Sequence, residues 1–379
     1  MKVLIWVQHL LGMGHIMRAA AIARALAADG ARPLLASGAP IPDVTDLTGV
    51  ETASLPPCRA ADASFKVLLD AEDRPVTPGW HAARAAQLAE IAARFDPDAI
   101  LTETFPLGRR AFRGELLPLL DSRRPGVLAL ASVRDVLVAA PDEKERWMAD
   151  AANRYFDRIL VHSDPAVIRL DDSFGPAATI ADRVVYTGFV ASAAPVAAQG
   201  TDGAGEVVVS CGSGALGARL LIAAADARAL SAAASGLTWR LLAGFGVGEE
   251  DFQAIRQGAP AGVIVERARP DFAGLLKRAR ASVSQGGYNT VMDVLSANVP
   301  AVIVPISASG ETEQRQRAEI LARRGLVTCL PEDDLTPQRL AAAVDAAITT
   351  PRPPVDFDMT GAETTARIMR TLHAEGPGR

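Results

Sequence analysis

Ser284-Gln285-Gly286-Gly287-Tyr288-Asn289-Thr290 reads as a strand end, a glycine pair and the opening of a helix, and the apolar helical stretch that follows carries Asp293. A second strand, Ala301-Val302-Ile303-Val304-Pro305, comes next, and a polar loop then ends in Glu313-Gln314. Glycines between a strand and a helix let a ligand approach the backbone and leave the helix's first N–H groups unobstructed. With the helix dipole behind them, those N–H groups suit a phosphate. Asp293, further along the helix, is placed to accept hydrogen bonds from a ribose. Glu313-Gln314 supply a carboxylate and an amide for sugar hydroxyls. Diphosphate, ribose and hexose in that order describe a nucleotide sugar.

Working outward, short β-branched runs alternate with Ala/Leu/Arg-rich helical stretches, the pattern of parallel α/β sheets. Strands are expected at Lys2–Val7, Arg32–Ala36, Ala99–Thr102, Val127–Ala131, Arg158–Val161 and Val184–Tyr186. Helices are expected at Ile16–Ala28, Trp80–Arg94, Arg110–Leu120 and Glu143–Asp157. Ala191–Gly205, rich in Ala, Pro and Gly, reads as a linker whose bending would close a cleft. The alternation restarts at Glu206–Ser210, with further strands expected at Thr238–Leu242, Val263–Glu266, Ala281–Ser284, Ala301–Val304 and Val327–Leu330. The expected architecture is two Rossmann-like α/β/α domains, 1–190 and 191–355, facing each other across a cleft. A final helix within 356–379 crosses back onto the first domain. Ligands of such sheets bind at the strands' carboxyl ends.

A chain of 379 residues, 49% hydrophobic and 22% charged, is globular and long enough for two domains. Its net charge of -5 supplies no phosphate-neutralising surface, so nucleic acid is not an expected partner. Cys58, Cys211 and Cys329 are too few and too scattered for a disulfide framework or a zinc site, so neither metal nor cofactor is expected. No apolar run is long enough to span a bilayer. A cytoplasmic protein is expected, with contact at the inner face of the membrane left open.

Gly12-Met13-Gly14-His15 follows the first strand and puts a histidine at a helix start, where it is the side chain best suited to remove a proton near neutral pH. A plain polar residue at a helix start is the alternative. His9, His81 and His373 read as structural, and His162 ends a strand. Gly212-Ser213-Gly214-Ala215-Leu216-Gly217 matches the dinucleotide fingerprint, but the next strand ends without the carboxylate that a nicotinamide dinucleotide needs. A phosphate-facing loop is the better account, and a tight turn alone is the other. Phe105–Arg113 mixes aromatic and cationic side chains suited to an acidic acceptor or anionic lipid, or simply a solvated basic face. Arg134-Asp135 ends a strand and either enters the cleft or forms an internal ion pair.

On Gln8–His15, Ser132–Asp135, Tyr186-Thr187-Gly188 and Ser284–Ala318 the chain resembles glycosyltransferases of the two-Rossmann-domain (GT-B) type, in particular the MurG-like family 28 group. The resemblance implies a nucleotide-sugar donor, with uridine as its base, on the C-terminal domain. It sets the diphosphate against Gly212, Ser213, Gly214, Ser284, Gly286 and Gly287, with Tyr288 and Asn289 opening the helix beside it. It has the base read near Arg267 and Ala268, the ribose held by Asp293 and the donor sugar by Glu313-Gln314. His15 matches the family's N-terminal histidine, with Gly12, Met13, Gly14 and Arg134 on the acceptor side and Asp135 as a second catalytic group. The Arg134-Asp135 region departs from the peptidoglycan enzyme, so the acceptor (small molecule, glycan or lipid-linked) is left open.

The activity these readings imply is transfer of a sugar to an acceptor hydroxyl with inversion, without a metal. A nucleotide-sugar hydrolase or epimerase on the same fold and a non-catalytic nucleotide-sugar sensor are the alternatives.

Overall fold

The computed structural model describes residues 1–10, 13–62, 65–191, 197–211, 217–306, 312–353 and 356–376. The chain divides into two units, Met1–Ala193 with Asp358–Arg379, and Ala194–Phe357.

The first unit runs β1 (Lys2–Val7), α1 (Gly14–Ala28), β2 (Arg32–Ser37), β3 (Glu51–Ser54), the hairpin β4 (Arg59–Ala60) and β5 (Leu68–Leu69), α2 (Pro78–Phe95), β6 (Ala99–Glu103), α3 (Arg113–Asp121), β7 (Leu128–Arg134), α4 (Asp142–Tyr155), β8 (Arg158–His162) and β9 (Val184–Tyr186). Among the described residues its parallel sheet has the order β3-β2-β1-β6-β7-β8-β9. Side chains alternate across the pleat. Leu4 and Trp6 join the core under α2, α3 and α4, while Val3, Ile5 and Val7 join the opposite core. Both faces are covered, which is why β1 reads as an unbroken apolar run. Each fully buried aliphatic side chain there contributes roughly 1.5–3 kcal/mol of transfer free energy.

The second unit runs β10 (Val207–Ser210), α5 (Ala218–Leu230), β11 (Trp239–Ala243), α6 (Glu249–Gln257), β12 (Val263–Arg267), α7 (Phe272–Leu276), β13 (Ala281–Ser284), α8 (Tyr288–Ala297), β14 (Ala301–Ile303), α9 (Glu313–Arg323), β15 (Thr328–Cys329) and α10 (Pro337–Thr349). Its sheet, also parallel, has the order β12-β11-β10-β13-β14-β15. Val207, Val209, Leu241 and Val283 pack under Leu220 and Leu221 of α5 and Leu340 and Val344 of α10.

The last helix, α11 (Gly361–Glu375), belongs to the first unit and packs on α1, where Ala366 and Met369 complete the core beneath β1. Phe189 N–H donates to the Asp358 carbonyl at 2.7 Å and Gly361 N–H to the Phe189 carbonyl at 3.0 Å. A Cβ on Gly361 would lie 2.4 Å from the Gly188 carbonyl oxygen, so only glycine lets the chain cross here.

In each sheet the strand order reverses once, between β1 and β6 and between β10 and β13, and such switch points are where open α/β sheets hold ligands. The structure adds β3 and the hairpin β4–β5 to the expected strands. Glu51-Thr52-Ala53-Ser54 is an exposed edge strand with no apolar run to mark it. The expected helix at 110–120 opens as a 3-10 turn over Arg110–Phe112 before α3 begins. Among the described residues no helix is long and apolar enough to cross a membrane.

Candidate active site

At the first unit's switch point His15, the second residue of α1, meets Glu103, the last of β6. Strands β1 and β6 lie side by side, Trp6 opposite Thr102, so the helix after one strand and the end of the other converge. His15 Nδ1 lies 2.7 Å from Glu103 Oε2. Thr104 Oγ1 donates to the same oxygen at 2.6 Å, and Arg18 Nη2 donates to Oε1. Burial would raise the Glu103 pKa, but Arg18 and His15 outweigh it and hold the carboxyl well below the usual range. An ionised carboxylate at Nδ1 keeps the ring proton there, so Nδ1–H donates and Nε2 carries the lone pair. Nε2 makes no hydrogen bond among the described residues. Burial lowers the His15 pKa to about 4, against the opposing pull of Glu103. The ring is therefore neutral at pH 7. This is a histidine oriented by a buried carboxylate, able to take a proton at Nε2 and to have the resulting charge stabilised.

The carboxylate bonded to His15 is thus Glu103, which the sequence reading did not single out, and not Asp135. Asp135 follows β7 with its side chain wholly buried, its Oδ1 accepting from Val136 N–H at 2.9 Å. Arg134, half-buried at the end of β7, is close enough to Arg109 to depress its pKa. Met13 is the exposed residue before α1 and Gly14 its first residue, whereas Gly12 lies outside the described residues. His162 is internal, bridging Ser132 Oγ at 2.7 Å and Thr187 Oγ1 at 2.8 Å, and burial pushes its pKa down to about 3. Arg109, from the Phe105–Arg113 stretch, turns inward instead of forming a solvated basic face. Its Nε donates to the Gln8 carbonyl at 2.8 Å, and its terminal nitrogens have no partner among the described residues.

At the second unit's switch point, β13 ends in Ser284 and α8 begins at Tyr288. The glycine pair divides its roles. Gly286 N–H donates to Gln314 Oε1 at 3.1 Å and its carbonyl accepts from Arg317 Nη1 at 2.9 Å. A Cβ on Gly286 would meet the Gln314 carbonyl oxygen at 3.0 Å, so this glycine makes room for α9. Its amide is therefore engaged within the protein and is not one of the open N–H groups of this turn. A Cβ on Gly287 would meet nothing within 4 Å. The N–H groups of Gly287, Asn289 and Thr290 have no partner among the described residues, as the first turn of a helix dictates. Ser284 Oγ is buried beside them without a partner.

Asp293, half-buried on α8, likewise has no partner among the described residues, and burial pushes its carboxyl up to about 7. Glu313 and Gln314 open α9 but are not a free pair. Glu313 Oε1 accepts from the buried Arg317 at 2.6 Å. Gln314 Oε1 also accepts from Ile306 N–H at 3.4 Å, leaving Nε2 as its open end. Tyr288 is buried, with the Arg317 guanidinium 5.6 Å from its ring centre. Arg267 turns back from β12 to the Val247 carbonyl at 2.7 Å, and Ala268 N–H donates to the Ala243 carbonyl at 2.8 Å. Of the backbone expected near a base there, the Ala268 amide is thus engaged within the sheet. Gly212, Ser213 and Gly214 lie outside the described residues. Among the described residues no three His, Cys, Asp or Glu side chains gather to hold a metal ion.

Residues 207–368 match the glycosyltransferase family 28 C-terminal domain, a span that contains β10 through α10 and half of α11. An uncharacterized glycosyltransferase of Methanopyrus kandleri is 33% identical over 96 residues, covering 25% of this chain and 27% of that protein. The UDP-N-acetylglucosamine–N-acetylmuramyl-(pentapeptide) pyrophosphoryl-undecaprenol N-acetylglucosamine transferase of Nitrobacter hamburgensis is 30% identical over 213 residues, 53% of this chain and 55% of that one. The chain thus spans about a quarter and about half of these two relatives. Among solved structures, the spinosyn rhamnosyltransferase SpnG in complex with thymidine diphosphate superposes with a TM-score of 0.62 at 18% identity, covering 100% of this chain and 97% of that one. Residues 207–368 thus match the glycosyltransferase family 28 C-terminal domain, and the chain as a whole has the fold of the GT-B glycosyltransferases.

Proposed function

We propose that this protein transfers a sugar from a pyrimidine nucleoside diphosphate sugar, UDP-linked in the first instance, to an acceptor hydroxyl with inversion. One observation carries the reading. In the unit matching the family 28 domain, three first-turn amides and a half-buried carboxylate, all without partners among the described residues, stand together at the switch point of the sheet. The Gly287, Asn289 and Thr290 amides take the diphosphate, Asp293 the ribose hydroxyls, and Gln314 Nε2 a hydroxyl of the sugar. Charge developing on the leaving diphosphate is met by preorganised N–H groups and the α8 dipole, so catalysis needs no divalent ion. The uridine donor named for the Nitrobacter relative and the thymidine diphosphate named for SpnG support a pyrimidine base.

His15 Nε2 accepts the acceptor's proton as its oxygen attacks the anomeric carbon from the face opposite the diphosphate. Glu103 holds the ring in position and stabilises the imidazolium. Arg109, close enough to depress the His15 pKa, is available to an acidic group on the acceptor. Incubation with a panel of nucleotide sugars and hydroxyl acceptors, read by mass spectrometry, tests the reading. A glycosylated product supports it. Release of free sugar alone, or an isomerised donor, points to a hydrolase or epimerase.

Two expected outcomes follow from the charges. His15 works only when neutral, so kcat/KM should stay level as pH falls through 6.5 and decline only near 4. A pH–rate profile with its acidic limb at the ordinary histidine value would remove His15 as the base. Asp293 has its carboxyl pKa raised by folding, so the stability associated with this group falls as pH rises from 3.8 through about 7. Asp293→Asn should therefore raise the melting temperature of the unliganded protein above neutral pH. It should also weaken UDP binding about tenfold, the cost of a lost hydrogen bond to a charged group. Calorimetry on the two proteins reads both effects.

A further inference from the structure

Phe245 is the most exposed large hydrophobic side chain among the described residues, 78% accessible, and it stands on a loop that is otherwise firmly held. The loop is Gly244-Phe245-Gly246-Val247-Gly248, between β11 and α6. Gly244 N–H donates to Cys211 Sγ at 3.2 Å, which ties the loop to the end of β10. Val247 N–H closes a turn on the Gly244 carbonyl at 3.0 Å, with Phe245 at its tip. Arg267 braces the same turn through the Val247 carbonyl, while its guanidinium pairs with Glu249 and lies 4.1 Å from the Phe252 ring centre. A fixed backbone thus carries a bare aromatic ring at the carboxyl end of the sheet.

Strand order says what passes over that ring. From β13 and the α8 amides the sheet runs β10, β11, β12, three strand spacings or about 14 Å in all. A nucleoside diphosphate anchored at α8 and extending toward β12 crosses the end of β11. At β12 itself the Ala268 amide is bonded within the sheet and the Arg267 side chain is turned away. Among the described residues on this path, the exposed aromatic ring is Phe245.

We propose that Phe245 is the platform on which the donor's nucleobase stacks, an assignment that rests on the nucleotide-sugar reading above. Stacking uses the π-face that every base has, so Phe245 would strengthen binding of uridine and thymidine nucleotides alike and leave discrimination between them to other groups.

Isothermal titration of the native protein, Phe245→Ala and Phe245→Trp with UDP, dTDP and inorganic pyrophosphate tests this. Phe245→Ala should weaken both nucleotides about tenfold or more, as loss of a base–aromatic stack does. Pyrophosphate affinity should be unchanged, and Phe245→Trp should keep native nucleotide affinity. Because the ring is exposed, neither substitution disturbs packing, and melting temperatures should match the native value. Native-like UDP and dTDP binding by Phe245→Ala would overturn the assignment alone. So would an equal loss of pyrophosphate affinity. Failure of the native protein to bind either nucleotide would overturn the donor reading and take this assignment with it.

Discussion

His15→Ala should lower turnover by about 10²–10⁴-fold, the usual worth of a positioned general base, while the dissociation constant for UDP stays unchanged. The substitution removes a largely buried ring, 13% exposed, but leaves the Glu103–Arg18 ion pair and the Thr104 hydrogen bond in place, so a native-like fold is expected, checked by circular dichroism. The loss therefore reports on chemistry. Glu103→Gln should also reduce turnover, because a neutral amide neither fixes the Nδ1 proton nor stabilises the imidazolium. It would also shift the acidic limb of the pH–rate profile further down, since Glu103 is the group that raises the His15 pKa. That second readout separates a positioning role from a merely structural one. A His15→Ala protein with native turnover would leave the first unit's switch point without a catalytic function.

The second large effect divides the glycine pair. Gly287→Val should fold normally, within the roughly 0.5 kcal/mol of an ordinary surface substitution, because nothing lies within 4 Å of its added Cβ. It should nonetheless lose UDP affinity by at least about a hundredfold, since the new side chain occupies space the diphosphate needs and charge-assisted hydrogen bonds contribute about 1.5–3 kcal/mol each. Gly286→Val should do the reverse in kind. Its Cβ would press on the Gln314 carbonyl at 3.0 Å and on the Gln314 Cβ at 3.1 Å, displacing α9. Overpacking of that sort costs about 1–3 kcal/mol, visible as a lowered melting temperature even without ligand. Equal affinity in Gly287→Val and the native protein would detach the diphosphate from α8.

The α/β class, both sheets and the strand–glycine–helix units at Ser284 and Gly14 follow from local pattern, because a parallel strand buried on both faces must be apolar throughout. The dyad does not follow. Glu103 stands 88 positions from His15, and only the adjacency of β1 and β6 in the sheet brings them together. A carboxylate at a strand end is otherwise ordinary. Thr104 beside it, with φ of 67°, hints at a shaped loop, but that signal is conformational and carries no sequence mark. Gly286 and Gly287 are likewise indistinguishable as letters. What separates them is α9, which packs against one and leaves the other open. The same packing engages Glu313 with Arg317 and Gln314 with the Gly286 amide, so a motif read as a free sugar clamp is half committed to holding the loop. One aromatic between glycines reads as turn filler in sequence alone, and only its 78% exposure sets Phe245 apart.

The proposed activity depends most on where a nucleoside diphosphate meets the second unit. Amide-resolved NMR of the isotope-labelled protein titrated with UDP addresses that directly. Saturable shifts should concentrate at Gly287, Asn289 and Thr290, with the Asp293 carboxyl perturbed alongside and Gly286 changed little. Saturable binding that leaves those three amides unmoved, or no binding of UDP at all, would contradict the proposed activity.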